Sequence, residues 1–582
     1  MGTTVADDLV SMLVQAGVTR IYGLVGDSLN ALSDAVRRSG GAAKGGLDWV
    51  HVHNEEAAAF AASADAQLTG KLAVCAGSCG PGNTHLIQGV MDAHRSGAPV
   101  LALASHIATK QVGSGFFQET RPQELFQQAS HYCETVSTPE QLSRCTRLAV
   151  QNAIGKAGAS VLVLPGDVLA ADSAGEALES ATVTTRPLTV ADPAAVHELA
   201  ERLNAAERVA IFAGIGCAGA RDEVLALAGT LQAPVGHTLR GKDVLQHDNP
   251  YDVGMTGLLG YGACYQALHE ADLVLLLGTD FPYDEFLPQQ HTVQIDIDPA
   301  RLGRRTPLVQ GLAADVGTTL RALLPLLRER TDRSFLDTML RKTEHNLEHN
   351  VDAYRTATQQ QTPIHPEYLA GLLDELAAPD AVFTVDTGMC CTWAARYLTP
   401  NGQRRILGSF VHGSMANALP MAIGAQIAAP DRQVITFSGD GGLAMLLGEL
   451  LTVKTHRLPV KVVVFNNSSL GMVRLEMLVA GDPPFETDHD EVDYAAIAAP
   501  MGFLTRRVTD PDDLRAAITE VLAHDGPALL DVVTTKDALE VPSHVTFAEA
   551  RGFALALGKV VLSGGVGDVL RLAKANVRNI PT

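Results

Sequence analysis

At 582 residues the chain is too long for one hydrophobic core and predicts three or four domains. Its 46% hydrophobic and 19% charged residues are those of a globular enzyme, and a net charge of −21 excludes a general nucleic-acid binder, which needs a basic surface. Eight scattered cysteines form no disulfide or zinc-ligand pattern, no apolar window reaches a bilayer span, and MGTTVADDLV has no signal-peptide pattern, so a reducing cytoplasm is the expected compartment.

Residues 1–182 read as a first α/β unit. An amphipathic helix over 5–16 precedes a strand at 20–24, and further strands follow at 72–76, 100–104 and 160–164. After the run at 48–52, His53-Asn54-Glu55-Glu56 opens an Ala-rich helix, where an acid also serves as an ordinary dipole or capping group. The loop Gly77-Ser-Cys-Gly-Pro-Gly-Asn83 suits a tight turn or a cofactor wall. Gly113-Ser-Gly-Phe-Phe-Gln-Glu119 is a second loop, with Phe117 and Gln118 open to core and surface roles. A polar stretch at 171–189 reads as a linker.

Residues 183–340 read as a second α/β unit. A strand at 208–213 runs into Gly214-x-Gly216-x-x-Gly219. The acid expected about 20 residues further on in a dinucleotide fold is missing, with Leu239-Arg240 in its place, so this is no NAD site. Three more segments stand at strand ends: Gly254-Met-Thr256-Gly257-Leu258-Leu259-Gly260, Leu277-Gly-Thr279-Asp280-Phe281-Pro282, and Gln294-Ile-Asp-Ile-Asp298-Pro299. Asp315-Val316 follows them.

Residues 341–535 hold the most informative stretch. Apolar runs at 434–437 and 460–465 read as buried strands flanking a helical pattern over 443–455, which makes a right-handed βαβ unit with parallel strands. Asp440 and Asn467 then stand at adjacent carboxyl ends, where open α/β sheets hold ligands. Gly439, Gly441 and Gly442 let backbone N–H groups approach an anion. A carboxylate and an amide oxygen are hard donors suited to Mg²⁺ on a diphosphate. The other reading is a tight β–α turn followed by an Asn-rich loop. Upstream, a strand ends in Asp386-Thr387-Gly388, and Gly413-Ser414-Met415 follows a Gly-Ser turn, where a Met is by default a core filler. The tail, 536–582, is apolar at 553–562. At 567–578 it places Val569, Leu570, Ala573 and Val577 on one helical face, with Arg571, Lys574 and Arg578 away from it. That pattern fits a membrane-surface helix or one packed on its own domain.

Gly439-Asp-Gly-Gly442 followed by Asn466-Asn467 resembles the thiamine diphosphate motif. Over essentially its whole length the chain resembles the flavin-containing, thiamine-dependent pyruvate oxidases, particularly their quinone-reducing, acetate-forming branch. The resemblance implies three doubly wound parallel α/β domains: pyrimidine-binding (1–182), FAD-binding (183–340) and diphosphate-binding (341–535), with a regulatory tail. It implies that Glu55 bonds the cofactor's pyrimidine nitrogen and drives proton removal from the thiazolium carbon, although the His that usually precedes this Glu is Asn54 here. It places Phe117, Gln118, Val473 and Glu476 around pyruvate. It implies that Met415 lies under the cofactor and bends it, and that Gly413 and Met415, with Ser414 between them, offer backbone bonds to the pyrimidine. Asp440, Asn467 and the Ser469 backbone oxygen hold Mg²⁺, and Gly441, Gly442, Ser468, Leu470, Gly471 and Met472 surround the diphosphate. Gly214, Gly216, Thr256, Gly257, Leu258, Leu259, Thr279, Asp280, Phe281, Pro282, Asp298, Asp315 and Val316 are assigned to FAD. Met472 departs from an aromatic common in the quinone-reducing branch. Glu55 and Asp440 are expected to meet across a subunit interface, so a dimer is the minimum and a tetramer usual. The implied reaction turns pyruvate into acetate and CO₂ and passes electrons through FAD to a membrane quinone, with the tail on lipid at the inner face of the cell membrane. Acetolactate synthase and a phosphate- and O₂-dependent oxidase are the enzymatic alternatives, and a catalytically silent nucleotide-binding regulator the non-enzymatic one.

Overall fold

The central strands of this protein, such as Val100–His106, Val209–Ala213 and Leu273–Leu277, are near-continuous buried runs, as required when both faces of a sheet are covered, while edge strands such as Leu308–Ala313 and Leu504–Val508 are mixed. The structure, a computed structural model, describes residues 2–175, 185–186, 188–351, 355, 361–538, 547–562, 567, 569–570 and 572. The first sheet contains β1 (Arg20–Gly23), β2 (Asp48–His51), β3 (Ala73–Gly77), β4 (Val100–His106), β5 (Cys133–Thr135) and β6 (Ala159–Pro165). Its order is β2-β1-β3-β4-β6-β5, with every pair parallel.

The middle unit has β7 (Val209–Ala213), β8 (Val235–His237), a short antiparallel pair of β9 (Gly254–Met255) with β10 (Tyr261–Gly262), then β11 (Leu273–Leu277), β12 (Thr292–Asp296) and β13 (Leu308–Ala313). Five of these form a parallel sheet in the order β13-β12-β11-β7-β8. The helix Ser334–Asn346 runs across the expected boundary at 340. It belongs to the middle unit by its bonds: Gly262 N donates to Asn346 Oδ1 at 2.8 Å and Ala263 N to Thr343 Oγ1 at 3.2 Å.

The third sheet is built from β14 (Val382–Val385), β15 (Arg405–Gly408), β16 (Val434–Gly439), β17 (Lys461–Asn466), β18 (Leu504–Val508) and β19 (Ala528–Val533), in the parallel order β15-β14-β16-β17-β19-β18. The βαβ expectation holds, since β16 pairs with β17 directly and Gly439 stands opposite Phe465. The crossover is not the single helix read over 443–455. It is three pieces, Asp440–Met445, a 3-10 turn Leu447–Glu449 and Leu450–Thr455. Leu446 leaves the helical region at φ −124° and ψ 34°, and Gly448 sits in the middle of the break, where it weakens helix formation.

The three units share buried seams. The Ala-rich helix Glu55–Thr69 lies so close to Ala418–Ala428 that a Cβ on Gly424 would overlap the Ala61 carbonyl. Arg240 Nη2 of the middle unit donates to Ser96 O at 2.6 Å, and Arg405 Nε of β15 donates to Asp243 Oδ2 at 2.8 Å. The apolar tail segment forms the helix Phe547–Leu562, which lies on Gly471–Ala480: a Cβ on Gly552 would overlap the Val479 carbonyl, and Lys559 Nζ donates to Gly481 O at 2.7 Å. Most of the expected 567–578 helix, including Arg571, Ala573, Lys574, Val577 and Arg578, falls outside the described residues, as do 176–184 and 187 of the linker. Among the described residues, no helix is long and apolar enough to cross a membrane.

Candidate active site

The carboxyl ends of β16 and β17 bring the motif residues together. Asp440, 3% exposed, begins the helix after β16, and its Oδ1 accepts from Gly441 N at 2.8 Å. Its Oδ2 accepts from Ser468 N, just past β17, at 2.6 Å, and lies 3.3 Å from His489 Nε2. Burial raises the proton affinity of Asp440, while the Gly441 amide, the His489 ring and the Ser468 amide oppose that shift. Tyr494 donates its hydroxyl to the Asp440 carbonyl at 3.0 Å. Asn467 Oδ1 accepts from Ser469 N at 2.9 Å, and Ser468 takes a left-handed φ of 51° to turn the chain between them.

Two glycines of this loop, Gly441 and Gly442, are closely packed. A Cβ on Gly441 would meet Leu470 Cδ2 at 2.8 Å, with Met415 Cε beyond it at 3.6 Å, and one on Gly442 would meet Asp386 Oδ2 at 2.5 Å. Gly471 stands beside Met389 and Asn467. Asp386 is 1% exposed, accepts from Ala418 N at 2.9 Å, and is pushed by burial up to about 7. Ser414 Oγ donates to Met415 O at 2.9 Å and accepts from Gln88 Nε2 at 2.9 Å. A buried carboxylate, an amide oxygen and a backbone carbonyl around backbone N–H groups are a donor set that fits Mg²⁺ with a diphosphate.

A second cluster forms around Glu55, 4% exposed and first in its helix. Asn54 caps that helix by accepting from Glu56 N at 2.9 Å, which is the use the fold makes of an asparagine here. Glu55 Oε2 lies 3.0 Å from His85 Nδ1, and Oε1 faces Gly82, where a Cβ would meet it at 2.9 Å. The 77–83 loop joins this cluster to Gln118, whose Oε1 accepts from Cys79 Sγ at 3.4 Å. Gln118 has φ 63°, packed against Gly80, and Phe117 is 77% exposed. The loop is held by Glu119, whose carboxylate accepts from the Gly113, Gly115 and Phe116 amides, and these bonds, led by Gly113, hold it below the usual carboxylate range. No hydrogen bond or ion pair among the described residues joins Glu55 to Asp440 or to the side chains that hold Asp440.

In the middle unit, Gly214 and Gly216 after β7 pack directly on Gly278-Thr279 after β11. Thr256 is 2% exposed and its Oγ1 has no hydrogen-bond partner, while Gly257, at φ 93°, abuts Phe281 and Tyr283. Phe281 stacks edge-on with Phe212 and Tyr283 at 5.3 and 5.6 Å. Close-packed glycines at two strand ends and an orphaned buried hydroxyl fit a dinucleotide cofactor such as FAD. The acids assigned to FAD have protein partners: Asp280 pairs with Arg304, Asp298 caps a turn by accepting from Ala300 N, and Asp315 caps Val316–Leu323 by accepting from Thr318 N. Pro282 follows Phe281 on this loop, and Leu259 packs on the core of the third unit. Met472, Val473 and Glu476 lie on the helix Gly471–Ala480, whose C-terminal end carries the tail helix; Val473 is 38% exposed, and burial, with the charge of Glu476 adding to it, raises the proton affinity of Tyr283 in the middle unit. His85, Asp386, His489 and Tyr494 were not singled out from the sequence as site residues; only Asp386 had a local signal, its strand-end position.

Models of the thiamine pyrophosphate enzyme N-terminal, central and C-terminal domains match residues 3–129, 196–323 and 386–532. The Bacillus subtilis protein YdaP, whose name describes it as thiamine pyrophosphate-containing, is 34% identical over 95% of both chains. The pyruvate oxidase of Lactiplantibacillus plantarum is 31% identical over 91% of this chain and 88% of its own. The acetolactate synthase isozyme 2 large subunit of Escherichia coli is 29% identical over 90% of this chain and 94% of its own.

Proposed function

The chain belongs to the thiamine pyrophosphate enzyme family, and on that premise we propose that it oxidatively decarboxylates pyruvate to acetate, passing the electrons through FAD to a membrane quinone. The balance is pyruvate plus water giving acetate, CO₂, two protons and two electrons, all four taken up as quinone becomes quinol. Bound thiamine diphosphate supplies the carbon nucleophile and electron sink for a 2-keto acid, and bound FAD stores the electron pair. Asp440, Asn467 and the Ser469 carbonyl would hold Mg²⁺, with the Gly441 and Gly442 amides toward the phosphates. Glu55 Oε1, next to Gly82, is the oxygen available to exchange a proton with the pyrimidine nitrogen, because Oε2 is engaged by His85. Met415 would support the cofactor, and Phe117, Gln118, Val473 and Glu476 would line the substrate mouth.

The observation that supports the quinone-reducing reading is the tail helix packed, at Val479 and Gly481, on the C-terminal end of the helix that carries Val473 and Glu476. A homo-oligomer is part of the proposal, supported by the lack, among the described residues, of any direct hydrogen bond or ion pair between Glu55 and Asp440. The acetolactate synthase relative keeps carboligation as a second reading. Purified protein should be yellow and should reduce ferricyanide or quinone only with pyruvate, Mg²⁺ and thiamine diphosphate together. Acetolactate as the main product, or acetyl phosphate formed with O₂, would overturn the quinone reading.

A further inference from the structure

The break in the crossover after β16 turns one carboxyl group inward. Glu449, last residue of the turn Leu447–Glu449, is 1% exposed and sits at the seam with the first unit. Its Oε1 accepts from His53 N at 3.1 Å, and its Oε2 from Thr452 Oγ1 at 2.6 Å. Having donated its proton, Thr452 Oγ1 accepts from His53 Nδ1 at 2.8 Å, so the ring carries its hydrogen on Nδ1. The Asn54 amide also favours the ionised carboxyl. Glu449 thus grips the two amides that lead directly into Glu55, from a unit that those amides do not belong to. An unbroken helix over 440–455 has no such turn, and a local rule broken in favour of one contact marks a site under functional constraint.

We propose that Glu449 is the positioning residue for Glu55: it fixes the first turn of the Glu55 helix across the domain seam and so sets where the Glu55 carboxylate stands. The inference rests on the thiamine reading for its catalytic consequence but not for the clamp itself. Without Glu449 the part-buried His53 amide loses its acceptor, and the segment leading into Glu55 is free to shift. A misplacement of about 1 Å at a reacting group costs on the order of 100-fold in rate. The clamp is ionisable. Burial, and to a lesser degree the like charge of Glu55, push Glu449 up to about 7, against the hydrogen bonds from Thr452, His53 and Asn54. Of the other titratable groups around it, His53 is held below its usual range by burial and by His51 and His456, and His456 Nε2 is engaged by the His51 carbonyl at 2.8 Å. As pH falls through about 7 the carboxylate takes up a proton and loses acceptor capacity, so the grip on His53 and Asn54 weakens.

The test uses the full chain carrying Glu449→Gln and Glu449→Asp. In cofactor-free protein, amide exchange of a peptide spanning 51–56 should quicken by about tenfold or more in Glu449→Gln, while a peptide around Ser468 is unchanged. In the loaded enzyme kcat should fall by about 10- to 100-fold, with KM for the 2-keto acid and the affinity for thiamine diphosphate within about twofold. The ionisation near pH 7 should leave the kcat profile, and Glu449→Asp should restore part of the rate. If Glu449→Gln does not fold, wild-type protection of residues 51–56, corrected for intrinsic exchange, should still fall as pH drops through about 7. Unchanged exchange at 51–56, or a loss of cofactor affinity in proportion to kcat, overturns the proposal. If the wild type shows no thiamine-dependent turnover, the functional reading fails, while the exchange arm still decides whether the clamp exists.

Discussion

Glu55 is held by its neighbours rather than by solvent: Asn54 caps the helix it begins, His85 bonds one carboxylate oxygen, and Gly82 leaves space beside the other. Glu55→Gln keeps that shape but removes the exchangeable proton, so activity should fall by about 10²- to 10⁴-fold with the fold and FAD content intact. Near-normal exchange of the thiazolium C2 proton in this variant would remove Glu55 from the mechanism. Asp440 is at once an anchor for the Gly441 and Ser468 amides and the one charged donor proposed for the metal. Asp440→Ala should weaken Mg²⁺ and thiamine diphosphate together, by at least about tenfold in titration calorimetry, with partial recovery at high Mg²⁺. Unaltered cofactor affinity would place the metal elsewhere. Asp440 and Asn467 were legible because each ends a buried strand at a fixed spacing. His489 and Tyr494 were not, because they arrive on an irregular stretch far along the chain whose position only tertiary packing determines.

Among the elements, most central strands were legible, since apolar runs bounded by glycine specify buried parallel strands, whereas edge strands such as Cys133–Thr135, Leu308–Ala313 and Leu504–Val508 are short or mixed and gave no such signal. The crossover helix was not, since its apolar spacing over 443–455 continues through a break whose Glu449 carboxylate finds its backbone donors in another unit. The tail helix carries its own prediction. Gly552→Val places a side chain where the Val479 carbonyl stands and should detach Phe547–Leu562 at a cost of about 1–3 kcal/mol. The C-terminal helix should then be cut faster by trypsin, at Arg551 and Lys559, without loss of the globular units. Deleting residues 560–582 should spare ferricyanide reduction but reduce co-sedimentation with anionic liposomes and electron delivery to membrane quinone. A truncated chain that sediments and reduces quinone as the full chain does would make the tail a purely structural element.

At the scale of the whole molecule, the separate Glu55 and Asp440 clusters make a specific statement about assembly. If each site joins Glu55 of one chain to Asp440 of its partner, mixing Glu55→Gln with Asp440→Ala chains creates one intact site in every mixed dimer. Random reassembly should then recover about a quarter of wild-type activity from two inactive parents. No recovery after verified subunit exchange would mean that both groups act within one chain.

The contact between Gly424 and the Ala61 carbonyl bears on how such an assembly can move. Two helices whose backbones touch have no side-chain layer to shear, so the first and third units of a chain should turn as a single block. Opening for substrate then falls to the periphery: the loop pinned by Glu119, and the helix Gly471–Ala480 under its C-terminal cover. Access to the reaction centre would be governed by a latch at the rim, with the frame around it standing still.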